Sequence, residues 1–113
     1  MEKASSCIIV LPQYSDALKV RDMLVEAGFD KQQISIIGKG RNEGEVAALE
    51  LDKFDEDLRQ LGVQDVNLYC YKCSLHAGSV LVVISGDYAG IEKACNVVEH
   101  LEQADVALHF NTL

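Results

Sequence analysis

Val80-Leu81-Val82-Val83-Ile84, a turn at Gly86-Asp87-Tyr88, a helical stretch from Ala89 to Leu101, then Val106-Ala107-Leu108-His109-Phe110: this succession decides the fold, because the first half of the chain runs through it as well. There Cys7-Ile8-Ile9-Val10-Leu11 leads through a turn at Pro12-Gln13-Tyr14-Ser15 into a helical stretch from Asp16 to Ala27, and on to Ile34-Ser35-Ile36-Ile37. Each half reads as a β-α-β unit, for which a right-handed crossover is the rule. Interleaving two such units gives an α+β fold of ferredoxin-like type, a four-stranded antiparallel sheet with helices on one face. In that topology the first and third strands are central. Here they are the two most continuously apolar runs, as strands flanked on both sides should be.

Local signals agree. Pro12 lacks a backbone donor and ends the first strand. Ser15 or Asp16 is placed to cap the following helix, whose apolar positions Ala17, Val20, Leu24 and Ala27 recur at spacings of three and four. Gly28 ends it, supplying the left-handed conformation that helix termini favour. The second strand spans about Gln33 to Gly38. Asp87 is placed to cap the last helix, which carries Ile91, Ala94, Val98 and Leu101 on one stripe. The last strand turns Val106, Leu108 and Phe110 inward and Ala107 and His109 the other way.

The link between the second and third strands is unusually long for this fold. The chain reads as a single domain over 1–113, with a first unit at 7–38, a loop and helical insert at 39–78, and a second unit at 79–110. Residues 38–44 are glycine-rich and charged and read as a mobile loop. Ala47 to Leu51 is placed to join a helix through Phe54, Leu58 and Leu61, stopped by Gly62. Asp65 is placed to cap a second short helix through Ala77, stopped by Gly78.

Composition narrows the function classes. A chain of 113 residues, 49% hydrophobic, buries a real core without metal or disulfide staples. A net charge of −8, with scattered Lys and Arg, speaks against nucleic acid or an anionic membrane surface, since both need a basic footprint. No apolar run reaches the ~20 residues of a membrane span, and Met1 to Ser6 does not read as a signal peptide. A cytoplasmic protein is the expectation. Its four cysteines, Cys7, Cys70, Cys73 and Cys95, are then expected to be reduced, with Cys7 and Cys95 as small buried hydrophobes.

Cys70-Tyr71-Lys72-Cys73 is the sharpest motif. A thioredoxin-like pair sits at a helix N-terminus, where the dipole stabilises a thiolate; this pair falls about five residues inside its helix. As a zinc site it supplies two of the four ligands required, and no second pair exists in the chain. His76, one turn further, offers a thin third. Redox or metal chemistry at Cys70 and Cys73 therefore stands below ordinary helix packing, and no cofactor and no metal are called for. Gly38-x-Gly40-x-x-x-Gly44 follows a strand, but its third glycine is one position late, and Glu43 and Glu45 would repel phosphate. His76, His100 and His109 lack an evident carboxylate partner and read as surface or half-buried residues. Asp55-Glu56-Asp57 reads as a solvated helix face. No catalytic residue is assigned.

Leu61-Gly62-Val63, then Tyr71, Leu75, Gly78 and Val80-Leu81-Val82-Val83, resembles the general-stress-protein family of YflT-like heat-induced proteins, in which a Leu-Gly-Ile turn precedes a helix carrying a Tyr, a Leu and a final Gly. Ala17 to Ile37, with Gly28 before Ile34-Ser35-Ile36-Ile37, looks like the same family's first unit. The chain departs from it at Gln64, where the family has proline. It also has a short acidic loop where many members carry an apolar insert suited to membranes, so membrane association is not implied. The resemblance implies a ferredoxin-like domain linked to stress response without established enzymatic activity. Within that pattern Tyr71 is expected to be a structural anchor before a ligand contact, its ring mostly buried and its hydroxyl seeking one partner.

One demand follows from the strands themselves. On the first strand Ile8 and Val10 oppose Cys7, Ile9 and Leu11; on the third Leu81 and Val83 oppose Val80, Val82 and Ile84. Whichever set meets the two long helices, the other is apolar too, and bare it would form a patch of the size that marks partners. Either the insert or a second copy of the chain must cover it, and a closed two-fold dimer is the expectation. Functionally, the sequence points to a non-catalytic, stress-linked interaction or regulatory domain with a possible protein partner. The alternatives are a small-molecule sensor with its ligand at a subunit junction, and a thiol or metal sensor built on Cys70 and Cys73.

Overall fold

The computed structural model describes residues 5–38, 58–99, 101 and 104–110, together with the backbone of 41–43. Its elements are β1 (Ser5–Leu11), α1 (Tyr14–Glu26), a 3-10 turn (Lys31–Gln33), β2 (Ile34–Gly38), β3 (Arg41–Glu43), α2 (Asp65–His76), β4 (Val80–Gly86), α3 (Tyr88–Val98) and β5 (Asp105–His109). The strand order is β3-β2-β4-β1-β5, and every neighbouring pair is antiparallel. The fold is thus α+β, with the ferredoxin-like four-stranded antiparallel sheet β2-β4-β1-β5 and β1 and β4 at its centre.

Three local differences have simple causes. Arg41–Glu43, expected in a loop, pairs with Ile36–Gly38 and extends the sheet by one short edge strand; the free edge of β2 offers backbone partners that composition does not reveal. Helix α1 begins before its expected caps. Gln13 is the N-cap, its carbonyl accepting from the amides of Asp16 and Ala17 at 3.2 and 3.3 Å, so Ser15 and Asp16 lie in the first turn. Gln64 likewise caps α2, and Asp65 instead accepts from Arg59 Nε at 2.7 Å. The expected cap at Asp87 is present, accepting from the Gly90 amide at 2.7 Å. Gly28, Gly62 and Gly78 end their helical segments at positive φ. The proposed helical stretch from Ala47 lies outside the described residues up to Leu58, where a last helical turn runs to Gln60.

Two cores lie back to back across the sheet. On one face Cys7, Ile9, Leu11, Ile34, Ile36, Val80, Val82 and Ile84 meet α1 through Ala17, Val20 and Leu24 and α3 through Ile91, Ala94 and Val98. On the other, Ile8, Ile37, Leu81 and Val83 meet Leu58, Val63, Leu68 and Tyr71. The insert therefore covers the second face within one chain. That removes the reason for expecting a second copy there, because the apolar area is already out of water.

The insert is core and not an appendage. Leu68→Ala, at a position 3% exposed, is expected to cost about 2–5 kcal/mol. Val66→Ala, one turn face away and 66% exposed, should stay within about 0.5 kcal/mol. Urea unfolding of the two variants beside the parent protein checks this, and a near-neutral Leu68→Ala would mean that the second face is held by something else.

Candidate functional site

Helix α2 is the element on which the candidate residues gather, and its sequence runs two apolar stripes at once. Leu68, Tyr71 and Leu75 recur at three and four and turn toward the sheet. Val66, Tyr69, Cys70, Cys73 and Ala77 also recur at three and four, on the opposite side of a 3.6-residue turn, and all are exposed. Of the four large hydrophobic residues exposed among the described residues, two are on this outward side: Val66 at 66% and Tyr69 at 70%. The other two, Tyr88 and Phe110, stack on each other with centroids 4.6 Å apart. Phe110, expected to point inward, lies just past the end of β5 and packs on Tyr88 instead.

On the inward side, Tyr71 finds its single partner. Its hydroxyl lies 2.6 Å from Nε2 of His109, and the rings meet edge to face at 5.7 Å. Both residues are buried, at 7% and 8% exposure. Burial pushes the Tyr71 phenol up to about 12, with Cys7 and Cys70 adding to it, and burial holds His109 below its ordinary 6.5. Both groups are therefore neutral near pH 7 and share one hydrogen bond between the phenol oxygen and Nε2. His109, read as a surface or half-buried residue, is buried because β5 pairs Ser6 with His109 and so brings it under α2. Ser6 is fully buried and its Oγ donates to the carbonyl of Leu61 at 3.1 Å. One polar row at the end of the sheet thus fastens the insert at two points. Chemically this is a latch: a buried neutral pair that joins the insert to the last strand.

Cys70 and Cys73 are free and exposed, three residues apart near the middle of α2. The first turn of that helix belongs to Asp65–Leu68, so the helix N-terminus does not act on either thiol. Cys7 is buried and pushed up to about 12, by burial and then by Cys95; Cys95 is raised as well, by burial first. Among the described residues no three His, Cys, Asp or Glu side chains come together as a metal-binding group. His76 is exposed on α2, and neither it nor His109 joins the thiols. The outward stripe itself escaped the sequence reading, although Val66, Tyr69, Cys70 and Cys73 show it once α2 is drawn as a helix with two greasy sides.

Removing the phenol hydroxyl in Tyr71→Phe leaves a buried imidazole nitrogen without its partner and is expected to cost about 1–3 kcal/mol in chemical unfolding. Stability should also depend on pH at both ends. His109 in the unfolded chain takes up a proton near 6.5 that the folded chain refuses, so its contribution is present above pH 6.5 and is lost as the pH falls below it. The Tyr71 contribution is present below pH 10 and is lost as the pH rises toward about 12. Cys7 acts in the same alkaline range, so the phenol's share is the part of the alkaline loss that disappears in Tyr71→Phe. Thermal unfolding of both proteins from pH 5 to 11 measures it.

No family model, no curated protein and no solved structure matches this chain.

Proposed function

We propose that this chain is a non-catalytic interaction or regulatory domain, stress-linked as its resemblance implies, which acts through the outward side of α2. The observation that carries the reading is the second apolar stripe, Val66, Tyr69, Cys70 and Cys73, standing in water opposite the stripe that Leu68, Tyr71 and Leu75 bury. A helix apolar on both sides is at home between two layers, and the sheet supplies one of them. Large exposed aromatic and β-branched side chains on a firmly seated helix are the anchors that interfaces use. The acidic charge of −8 directs the reading to protein partners, including a second copy, and away from nucleic acid. Among the described residues no helix is long and apolar enough to cross a membrane, and the proposed place of action is the cytoplasm.

A second reading, a thiol or metal sensor, is favoured by one observation: Cys70 and Cys73 are both free and both exposed on that same side.

The interaction reading has a direct test. Val66→Lys and Tyr69→Glu change only solvent-facing positions, so the melting temperature is expected to hold within a few degrees while concentration-dependent association in sedimentation velocity is lost. A thermal-shift screen over metabolites is expected to be silent. A metabolite that specifically raises the melting temperature, with sedimentation unchanged by the two variants, would replace this reading by small-molecule sensing.

A further inference from the structure

Two thiols on an outward helix face, three residues apart, are half of a tetrahedral metal centre. We infer that Cys70 and Cys73 bind zinc or another thiophilic divalent ion as a four-thiolate site, completed by the same two residues of a second copy of this chain. This rests on the reading of the outward α2 side as an interface and adds its occupant and its ligand.

Spacing favours chelation over an internal disulfide. Residues i and i+3 of a helix hold their Cβ atoms ~5–6 Å apart. Two sulfurs each ~2.3 Å from a tetrahedral ion lie ~3.8 Å apart, a separation that side chains rising from such Cβ atoms reach by leaning together. A disulfide needs its Cβ atoms ~3.8 Å apart, so the helix would have to distort to close one. Location agrees: the pair is away from the helix N-terminus, where a reactive redox cysteine belongs, and both sulfurs face water.

The second copy follows from ligand count and symmetry. A closed thiolate zinc site takes four ligands, and among the described residues no third ligand group joins the pair. A two-fold axis across one patch sets each residue against its own counterpart surface, which turns two thiols per chain into four around one point. The face suits close helix approach. Cys70, Cys73 and Ala77 are small, while Val66 and Tyr69 flank the thiols and would shield the ion from water. None of the five carries a formal charge, so the mutual repulsion of two chains at −8 is not concentrated at the contact. Loading exchanges four S–H protons for one dication. Four thiols and one Zn²⁺ give a tetrathiolate complex of net charge −2 and four protons released to solvent, with no change of oxidation state. Binding therefore strengthens as pH rises.

The test uses the full chain, reduced and stripped of metal, titrated with zinc and with cobalt(II) as an optical probe, and followed by sedimentation and native mass spectrometry. The expected result is one ion per two chains, a doubling of mass on loading, and the absorption bands of tetrahedral cobalt thiolate. Cys70→Ser and Cys73→Ser should each weaken binding and abolish metal-driven dimerisation with an unchanged circular dichroism spectrum. Losing even an outer-shell partner costs about 10–100-fold in affinity, so loss of a direct ligand should cost at least that. One ion per chain at unchanged mass would overturn the shared site. A dimer that takes up neither ion and is broken by Tyr69→Glu would overturn the metal site and leave the interface standing. A chain that stays monomeric and takes up neither ion would overturn both.

Discussion

The structure depends on one constraint: β1 and β4, at the centre of the sheet, are apolar on both of their faces. A sheet of this kind cannot leave either side to water. The α1 and α3 pair covers Cys7, Ile9, Val80, Val82 and Ile84. The other side, with Ile8, Ile37, Leu81 and Val83, needs a layer that the two β-α-β units do not supply, and Leu58, Val63, Leu68 and Tyr71 supply it. The long link between β2 and β4 is therefore a structural component. It turns a two-layer sandwich into a three-layer one over part of its sheet.

Everything notable about α2 follows from that duty. Its position is set from below by Leu68, Tyr71 and Leu75 and at the end of the sheet by polar contacts, Tyr71 to His109 and Leu61 to Ser6. The first is buried and the second partly buried, and a buried pair specifies one arrangement because the alternatives leave a polar atom unmatched. A helix so held has little freedom to roll, so its outer side is as well defined as its inner one. Val66, Tyr69, Cys70 and Cys73 consequently share one outward side of α2.

The residues differ in how legible they were. Tyr71 was recognisable as a buried anchor in need of one partner, since a phenol on an inward helix position has few other fates. Its partner was not recognisable. His109 lies in the last strand, and only the pairing of Ser6 with His109 across β1 and β5 carries it beneath α2. Alternation in β5 placed Val106 and Leu108 correctly toward α1 and α3, but Phe110 sits past the strand, where alternation no longer applies, and stacks on Tyr88. The Cys-x-x-Cys pair was legible as a motif that supplies two of the four ligands a zinc site requires, a reading that stands below ordinary helix packing. Whether its thiols faced the sheet or water depended on how α2 is rotated, which Leu68, Tyr71 and Leu75 decide through their fit to the second face.

Periodicity and turn chemistry sufficed for the two β-α-β units, the central place of β1 and β4, the helix stops at Gly28, Gly62 and Gly78, and the demand that both sheet faces be covered. Those are local properties: backbone geometry and apolar spacing act over a few residues, so they can be read in order along a chain. Which element answers the demand, which histidine meets Tyr71, that Arg41–Glu43 adds an edge strand, and that Cys70 and Cys73 face outward were settled by contacts between segments far apart in the chain. Such contacts are chosen by competition among many possible pairings for the same buried area, and no short stretch of residues contains the outcome.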